Sequence, residues 1–223
     1  MSVFHDNPWF SRLAPDDAQA LLAAATPLKL GRGEMLFQQG EAADQPHGAF
    51  FGVESGSLRF SSFHAAGSEG ILAVIEPGNW IGEVALLEEQ PRAQTAIAQE
   101  DSQVRAVSAA AFHALMERPS FAKAVARLLA GRLRLAMSFI GESALPSTRE
   151  RVARRLLVLA HGDTSLSTTT RNTITASQDM LAMMLGISRP TLNKELRALE
   201  QAGAISLHYG RIEIRDAALL LDK

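Results

Sequence analysis

The sequence predicts an α+β protein made of an antiparallel β-roll, a long helix, and a smaller helical module that ends in a β-hairpin. Three observations support this prediction. Short apolar or alternating runs punctuated by glycine fill residues 28–107, a helical repeat fills residues 120–142, and a helix–turn–helix pattern follows. We therefore expect three segments: residues 1–118, 119–146 and 147–223.

Composition excludes several classes of protein. The 223 residues are 47% hydrophobic and 21% charged, which is ordinary for a globular chain. Cysteine is absent, so disulfides, thiolate zinc sites, cysteine-bound iron–sulfur clusters and catalytic thiols are excluded. No apolar run approaches the ~20 residues that span a bilayer, and residues 1–10 do not resemble an export signal. We expect a cytoplasmic protein that does not bind a membrane.

Catalytic and metal-binding patterns are not recognisable. The six histidines are dispersed, and no nucleophile–base set, metal cluster or P-loop stands out. We therefore expect neither an enzyme nor a metal or prosthetic group.

Charge is divided unevenly along the chain. Residues 1–117 contain 6 basic and 15 acidic residues, whereas residues 118–223 contain 16 basic and 9 acidic ones. A basic half beside an acidic half suggests that the basic half faces a polyanion. Ordinary variation in surface charge is the alternative.

The predicted roll follows a short helix at residues 15–25, whose first turn holds Pro15 and two aspartates. Six short runs then predict strands, because many short strands with evenly spaced turns are typical of an antiparallel barrel or roll. These runs are residues 35–37, 49–53, 58–63, 71–75, 95–98 and 104–107.

Residues 120–142 contain one glycine and no proline, and their apolar residues recur at helical spacing in two adjacent stripes. The stripes are Ala122, Ala126, Leu129, Leu133, Ala136 and Ile140, and beside them Val125, Leu128, Leu135 and Phe139. They predict a helix buried against its own roll and against the same helix of a second copy; burial inside a monomer is the alternative. We expect Arg127, Arg132 and Arg134 to keep part of this helix in water. Ala144-Leu145-Pro146 then predicts a short hinge.

The sharpest C-terminal signal spans residues 177–197, which predict two helices joined by a tight turn at Gly186. Ser188 is placed to cap the second helix, and Pro190 lies in its first turn. The expected shared core is Leu181, Leu185, Ile187, Leu192, Leu196 and Leu199. The second helix of such a motif enters the major groove of DNA, where arginine can bind guanine with two hydrogen bonds.

A β-hairpin over residues 205–214, which turns at Tyr209-Gly210, adds a wing to this motif. A plain helical hairpin would not explain the wing, so we predict a winged helix–turn–helix that binds DNA. The expected DNA contacts are Ser177, Ser188, Arg189, Pro190, Thr191, Asn193, Lys194, Arg197, His208 and Arg211.

Residues 82–95, here called the cassette, carry the second strong signal. Gly82 permits a sharp turn into a helical turn, whose free N–H groups can face a phosphate. Glu83 can accept hydrogen bonds from a hydroxyl, and the guanidinium of Arg92 suits phosphate oxygens. A nucleotide pocket is one interpretation, and a Glu83–Arg92 salt bridge is the other.

Together these residues resemble the cyclic-AMP receptor/FNR family of bacterial transcription regulators, over about residues 10–216. Gly82-Glu83-Val84-Ala85-Leu86 followed by Pro91-Arg92-Ala93-Gln94-Thr95 is similar to the phosphate-binding cassette of cyclic-nucleotide domains. The resemblance implies an effector site at Gly82, Glu83, Val84, Ala85, Arg92, Ala93, Ala136 and Met137.

In that resemblance Glu83 holds the ribose 2′-hydroxyl, Arg92 pairs with the cyclic phosphate, and Gly82 and Ala93 offer backbone N–H groups. Ala136 and Met137 occupy the positions of a Thr-Ser pair that contacts the base in the cyclic-AMP receptor, and neither can form such a side-chain hydrogen bond. The effector therefore stays open between cyclic AMP, another cyclic nucleotide and no ligand.

The resemblance also implies a homodimer that binds a palindromic DNA operator, with RNA polymerase as a candidate further partner. Arg189 and Lys194 match the family's base- and phosphate-contacting positions. The sequence leaves two alternative functions. One is an effector-controlled transcription regulator, and the other is a ligand-independent DNA-binding regulator whose roll is only a dimerisation scaffold.

Overall fold

The protein is described by a computed structural model, which places residues 2–63, 69–143, 147–161 and 172–221. The chain divides into two compact units, Met1–Arg132 and Leu133–Lys223, and the division falls inside one long helix. The predicted hinge at residues 144–146 lies outside the described residues.

The first unit is a double-layered antiparallel roll, as the sequence predicts. In the described part of this unit one sheet has the strand order β1-β8-β3-β6 and the other the order β2-β7-β4-β5. The strands are β1 (Thr26–Leu30), β2 (Met35–Phe37), β3 (Phe50–Ser55), β4 (Leu58–Phe63), β5 (Glu69–Ile75), β6 (Trp80–Ile81), β7 (Thr95–Ala98) and β8 (Ser102–Val107).

Two strands were not predicted from the sequence. β1 is an edge strand that contains Pro27 and buries only its last residue, Leu30, so its apolar alternation is weak. β6 is two residues long, which is too short for a periodic pattern.

Helical segments precede the first strand of the roll and follow its last strand. Two 3-10 turns, Val3–Asp6 and Phe10–Arg12, precede helix α1 (Pro15–Ala24), which matches the prediction to within one residue. The other helices are α2 (Glu83–Glu88), α3 (Ala109–Met116) and α4 (Pro119–Ser143). The structure confirms α4, whereas α3 was missed.

An aromatic cluster connects the N-terminal turns, the roll and the start of α4. Phe10 and Trp80 stack with an interplanar angle of 7°, and the Trp9 indole N–H donates to the carbonyl of Ala124 at 2.7 Å. Phe121 of α4 is fully buried in the same cluster. The cluster therefore fixes Trp80 and with it the strand that leads into the cassette.

The second unit contains the predicted helix–turn–helix and wing. Its elements are α5 (Thr148–Ala160), β9 (Thr173–Ile174), α6 (Gln178–Leu185), α7 (Arg189–Gln201), β10 (Ile205–His208), β11 (Arg211–Ile214) and α8 (Ala217–Leu221). The wing strands pair as an antiparallel hairpin, and the two-residue strand β9, which was not predicted, pairs with β11.

The core of this module is close to the predicted one. Leu181, Leu192, Leu196 and Leu199 are buried as expected. Leu185 and Ile187 were predicted to be core residues but are only half-buried, because they flank the turn at Gly186. Among the described helices, none is long and apolar enough to cross a membrane.

Candidate functional site

The cassette begins with a turn that only glycine adopts without strain. Gly82 has φ +107° and precedes the first residue of α2. A Cβ at this position would collide with the carbonyl oxygen of Ala49 and would lie 2.9 Å from Nη1 of Arg92. Gly82 therefore brings Glu83 and Arg92 into one closely packed site.

Glu83 is completely buried and forms an ion pair with Arg132 of α4. The same guanidinium donates through Nη2 to the carbonyl of Trp80. The expectation that Arg132 keeps α4 in water is wrong, because its side chain lies against the cassette and is only 21% exposed. In the described part of the chain Oε2 of Glu83 has no hydrogen-bond partner, so it is available as an acceptor.

Arg92 is 3% exposed and lies among backbone carbonyls. Its Nη1 donates to Gly82 at 3.0 Å, and its Nη2 donates to Ala43 at 3.0 Å and to Ala49 at 2.7 Å. The guanidinium also stands over the ring of Phe37, 4.4 Å from its centroid. The sequence left open a phosphate-binding guanidinium or a salt bridge between Glu83 and Arg92. In the structure Glu83 pairs with Arg132, and Arg92 donates to backbone carbonyl oxygens.

Burial also changes the acidity of this arginine. Desolvation lowers the pKa of Arg92 to about 10, and the nearby carboxylates of Glu41 and Glu83 only partly oppose it. Nε of Arg92 is buried without a hydrogen-bond partner among the described residues. The site thus holds a desolvated cation with one unused donor beside a buried carboxylate with one unused acceptor.

The remaining residues of the predicted effector site are placed differently. Ala85 is buried, whereas Val84 and Ala93 are exposed on the cassette. Ala136 and Met137 are on α4 beyond Arg132, in the second unit, and both are exposed. In the described ranges no three histidine, aspartate or glutamate side chains are arranged to hold a metal ion.

In the candidate DNA-binding motif, a serine caps the start of each of the two helices α6 and α7. Ser177 Oγ accepts from the Met180 amide at 3.1 Å, and Ser188 Oγ accepts from the Thr191 amide at 3.3 Å. Gly186 makes the turn between the helices with φ +62°. The predicted cap at Ser188 is therefore present and fixes where α7 begins, whereas the cap at Ser177 was not predicted.

One face of α7 is buried and the other carries the predicted contact residues. Arg189, Pro190, Thr191, Lys194 and Arg197 are exposed, and Asn193 is half-buried. At the wing tip Tyr209 is fully exposed between His208 and Arg211, which are exposed too. His208 also lies 3.4 Å from Glu213.

Sequence analysis missed the residues that hold these elements in place. Nη2 of Arg151 on α5 donates to the last carbonyl of α6, at Leu185, over 2.6 Å. Glu200 near the end of α7 accepts from the Leu207 amide of the wing at 2.8 Å. Arg132 lies one helical turn before Ala136 of the predicted effector site, and this spacing is a sequence signal that Arg132 belongs to the same site. Its pairing with Glu83 depends on tertiary packing, which the sequence does not show.

Comparisons with known proteins identify both parts of the chain. Residues 27–119 match the model of the cyclic nucleotide-binding domain, and residues 150–223 match the model of the Crp-like helix-turn-helix domain. The cyclic AMP receptor protein of Thermus thermophilus is 34% identical over 96% of this chain and 95% of its own length. A CRP-like cAMP-activated global transcriptional regulator of Mycobacterium tuberculosis is 29% identical over 95% of this chain and 93% of its own.

A solved structure shows the same architecture. The catabolite activator protein of Thermus thermophilus matches with a TM-score of 0.54 and 33% identity, over 96% of each chain. The double-sheeted roll, the long helix and the winged helix–turn–helix thus occur in the same order in proteins of one family. The chain belongs to the cyclic-AMP receptor/FNR family of DNA-binding transcription regulators.

Proposed function

We propose that this chain is a homodimeric, sequence-specific transcription regulator controlled by a cyclic nucleotide that binds in the roll. The observation that carries the proposal is the pair of unused groups in the cassette, Oε2 of Glu83 and Nε of Arg92, both buried. Buried polar groups normally have partners, and a ribose hydroxyl and a cyclic phosphate would supply them. We assign residues 1–118 to effector binding, 119–146 to dimerisation and the hinge, and 147–223 to DNA binding.

In this proposal each cassette residue has a role. Glu83 accepts from the ribose 2′-hydroxyl, and Arg92 exchanges carbonyl partners for the phosphate oxygens. Gly82 and Ala93 contribute backbone N–H groups, and Val84 and Ala85 line the site. Two relatives whose names include cyclic AMP support this nucleotide as the first candidate.

Ala136 and Met137 are proposed to face the base. Neither offers a hydroxyl, so the contact is apolar and gives little discrimination between bases. Cyclic GMP and cyclic di-GMP therefore belong in the same test as cyclic AMP.

Dimerisation is assigned to the second half of α4. Leu133, Met137 and Ile140 recur at helical spacing and are 61%, 61% and 66% exposed in the single chain. A continuous apolar stripe on a long helix is typical of a helix that packs against another helix. A second copy of the same helix is the partner that gives the two-fold symmetry of a palindromic operator.

DNA recognition is assigned to the start of α7 and to the wing. Arg189 is proposed to read a base, Lys194 a base or phosphate, and His208 and Arg211 the phosphate backbone. A dimer can present two such helices to successive major grooves about 34 Å apart, and effector binding would act by favouring one arrangement of the pair. Such a regulator works beside RNA polymerase in the cytoplasm and carries out no reaction of its own.

Calorimetry tests the effector assignment directly. The purified protein, Arg92→Ala and the control Arg105→Ala would be titrated with cyclic AMP, cyclic GMP and cyclic di-GMP. Arg105 is a matched control because it also lies in the roll but pairs with Glu54 at 2.8 Å. We expect binding of at least one nucleotide by the parent and by Arg105→Ala, and none by Arg92→Ala. Absence of heat for all three nucleotides would support the scaffold function instead.

A further inference from the structure

An ion pair joins the starts of the two helices of the helix–turn–helix. Asp179 lies in the first turn of α6, and Arg189 is the first residue of α7. Nη1 of Arg189 is 3.3 Å from Oδ1 and 3.3 Å from Oδ2 of Asp179. Both side chains are exposed, at 61% for Arg189 and 60% for Asp179.

This pair does little for the stability of the fold. Exposed ion pairs contribute little, because water screens the charges and two long side chains lose freedom. Ser177 already caps α6, and Ser188 caps α7. The consequence of the pair is therefore the orientation of the arginine, which the fold does not otherwise require.

The ion pair leaves one edge of the Arg189 guanidinium, formed by Nε and Nη2, available to bind a base. Only Nη1 faces the carboxylate, and among the described residues neither Nε nor Nη2 forms a hydrogen bond or an ion pair. Nε–H and one N–H of Nη2 point the same way along one edge of a guanidinium, and that edge matches the N7 and O6 acceptors of guanine. A guanidinium that is held at Nη1 presents the edge with these two donors in a fixed direction. It therefore loses less conformational entropy when it binds a base.

We propose that Asp179 is the positioning residue that sets the base specificity of Arg189. The inference depends on the proposed DNA-reading role of α7. Asp179 holds the guanidinium for two hydrogen bonds to a guanine. The repulsion between its carboxylate and the phosphates acts at every sequence, and only a site with that guanine compensates for it. Asp179 therefore contributes to discrimination between sequences rather than to overall affinity for DNA.

The test uses the full-length protein and an operator selected by it from random duplex DNA. Dissociation constants would be measured for the operator and for each single-base-pair change, with the parent, Arg189→Ala, Asp179→Asn, Asp179→Glu and Glu150→Gln. Glu150→Gln is the matched control because it removes one carboxylate from the first turn of another helix, α5. Melting curves confirm that each variant folds.

Arg189→Ala identifies the base pair that Arg189 reads. We expect Asp179→Asn to lose about fivefold or more of the discrimination at that same base pair, with unchanged or higher affinity for unrelated DNA. Asp179→Glu, which keeps the charge, should recover at least half of the loss on a logarithmic scale. Glu150→Gln should discriminate like the parent.

Full discrimination by Asp179→Asn at that base pair overturns the inference, as does an equal loss at every position of the operator. Failure of Asp179→Glu to recover any discrimination also contradicts it. If Arg189→Ala discriminates between the operator and its single-base-pair changes as well as the parent does, the proposed role of Arg189 is wrong. The inference about Asp179 is then wrong too. A parent that selects no sequence refutes the proposed function itself.

Discussion

The guanidinium of Arg132, on helix α4, contacts the buried carboxylate of Glu83, the first helical residue of the cassette. The helix assigned to dimerisation is thus connected to the proposed effector site within the first unit. Because Glu83 is completely buried and Arg132 is 21% exposed, removal of either partner leaves the other without a counter-charge in a poorly hydrated place.

A double-mutant cycle measures this connection. Glu83→Gln, Arg132→Met and the double variant should give a coupling energy of about 3 kcal/mol in urea denaturation. The two tryptophans, Trp9 and Trp80, both lie in the first unit, so their fluorescence follows its unfolding. A coupling energy below about 0.5 kcal/mol would show that the ion pair does not connect the two elements.

Gly82→Ala should lower the free energy of unfolding far more than an alanine at a comparable glycine does. Gly33 also has a positive φ, +85°, but a Cβ there meets nothing within 4 Å, whereas at Gly82 it strikes the carbonyl of Ala49. We expect a loss of about 1 kcal/mol for Gly33→Ala and of about 3 kcal/mol or more for Gly82→Ala, with nucleotide binding lost only in the latter. Equal losses in urea denaturation would contradict the close packing described for the cassette.

Nucleotide affinity should depend on pH through Arg92. Burial lowers the pKa of Arg92 to about 10, and only the protonated guanidinium attracts a phosphate. The charged form predominates below that pH, so affinity should be level near neutrality and should fall as pH rises through about 10. Calorimetry at increasing pH, with circular dichroism to confirm folding, provides the measurement. Constant affinity to about pH 11 would contradict the lowered pKa of Arg92.

Leu133→Glu combined with Met137→Glu should produce a monomer. Two carboxylates on the proposed helix–helix contact would have to be desolvated without partners, and this cost opposes association. Met35→Glu is the control, since Met35 is 53% exposed and lies on an edge strand of the roll. Analytical ultracentrifugation should show dimers for the parent and for Met35→Glu. A dimer of unchanged stability in the double variant would place the contact elsewhere.

Local patterns were sufficient for most of the fold. Glycine-punctuated runs predicted six strands of the roll, and a serine cap followed by proline located the start of α7, because these features act within a few residues. The partners of the site residues were different. Arg132 and Glu83 are 49 positions apart, and Arg92 binds the carbonyl of Ala49, 43 positions away, so only the folded chain reveals these contacts. The sequence analysis gave Asp179 no role, because its contact with Arg189 depends on the angle between two helices.

The most direct test of the account is the affinity for a selected operator with and without nucleotide, measured by fluorescence anisotropy at fixed salt. At least one of cyclic AMP, cyclic GMP and cyclic di-GMP should change the dissociation constant of the parent and of Arg105→Ala by about tenfold, a typical allosteric coupling. The same nucleotide should leave Arg92→Ala unaffected. Identical operator affinity of the parent with every nucleotide and with none would contradict control by an effector in the roll.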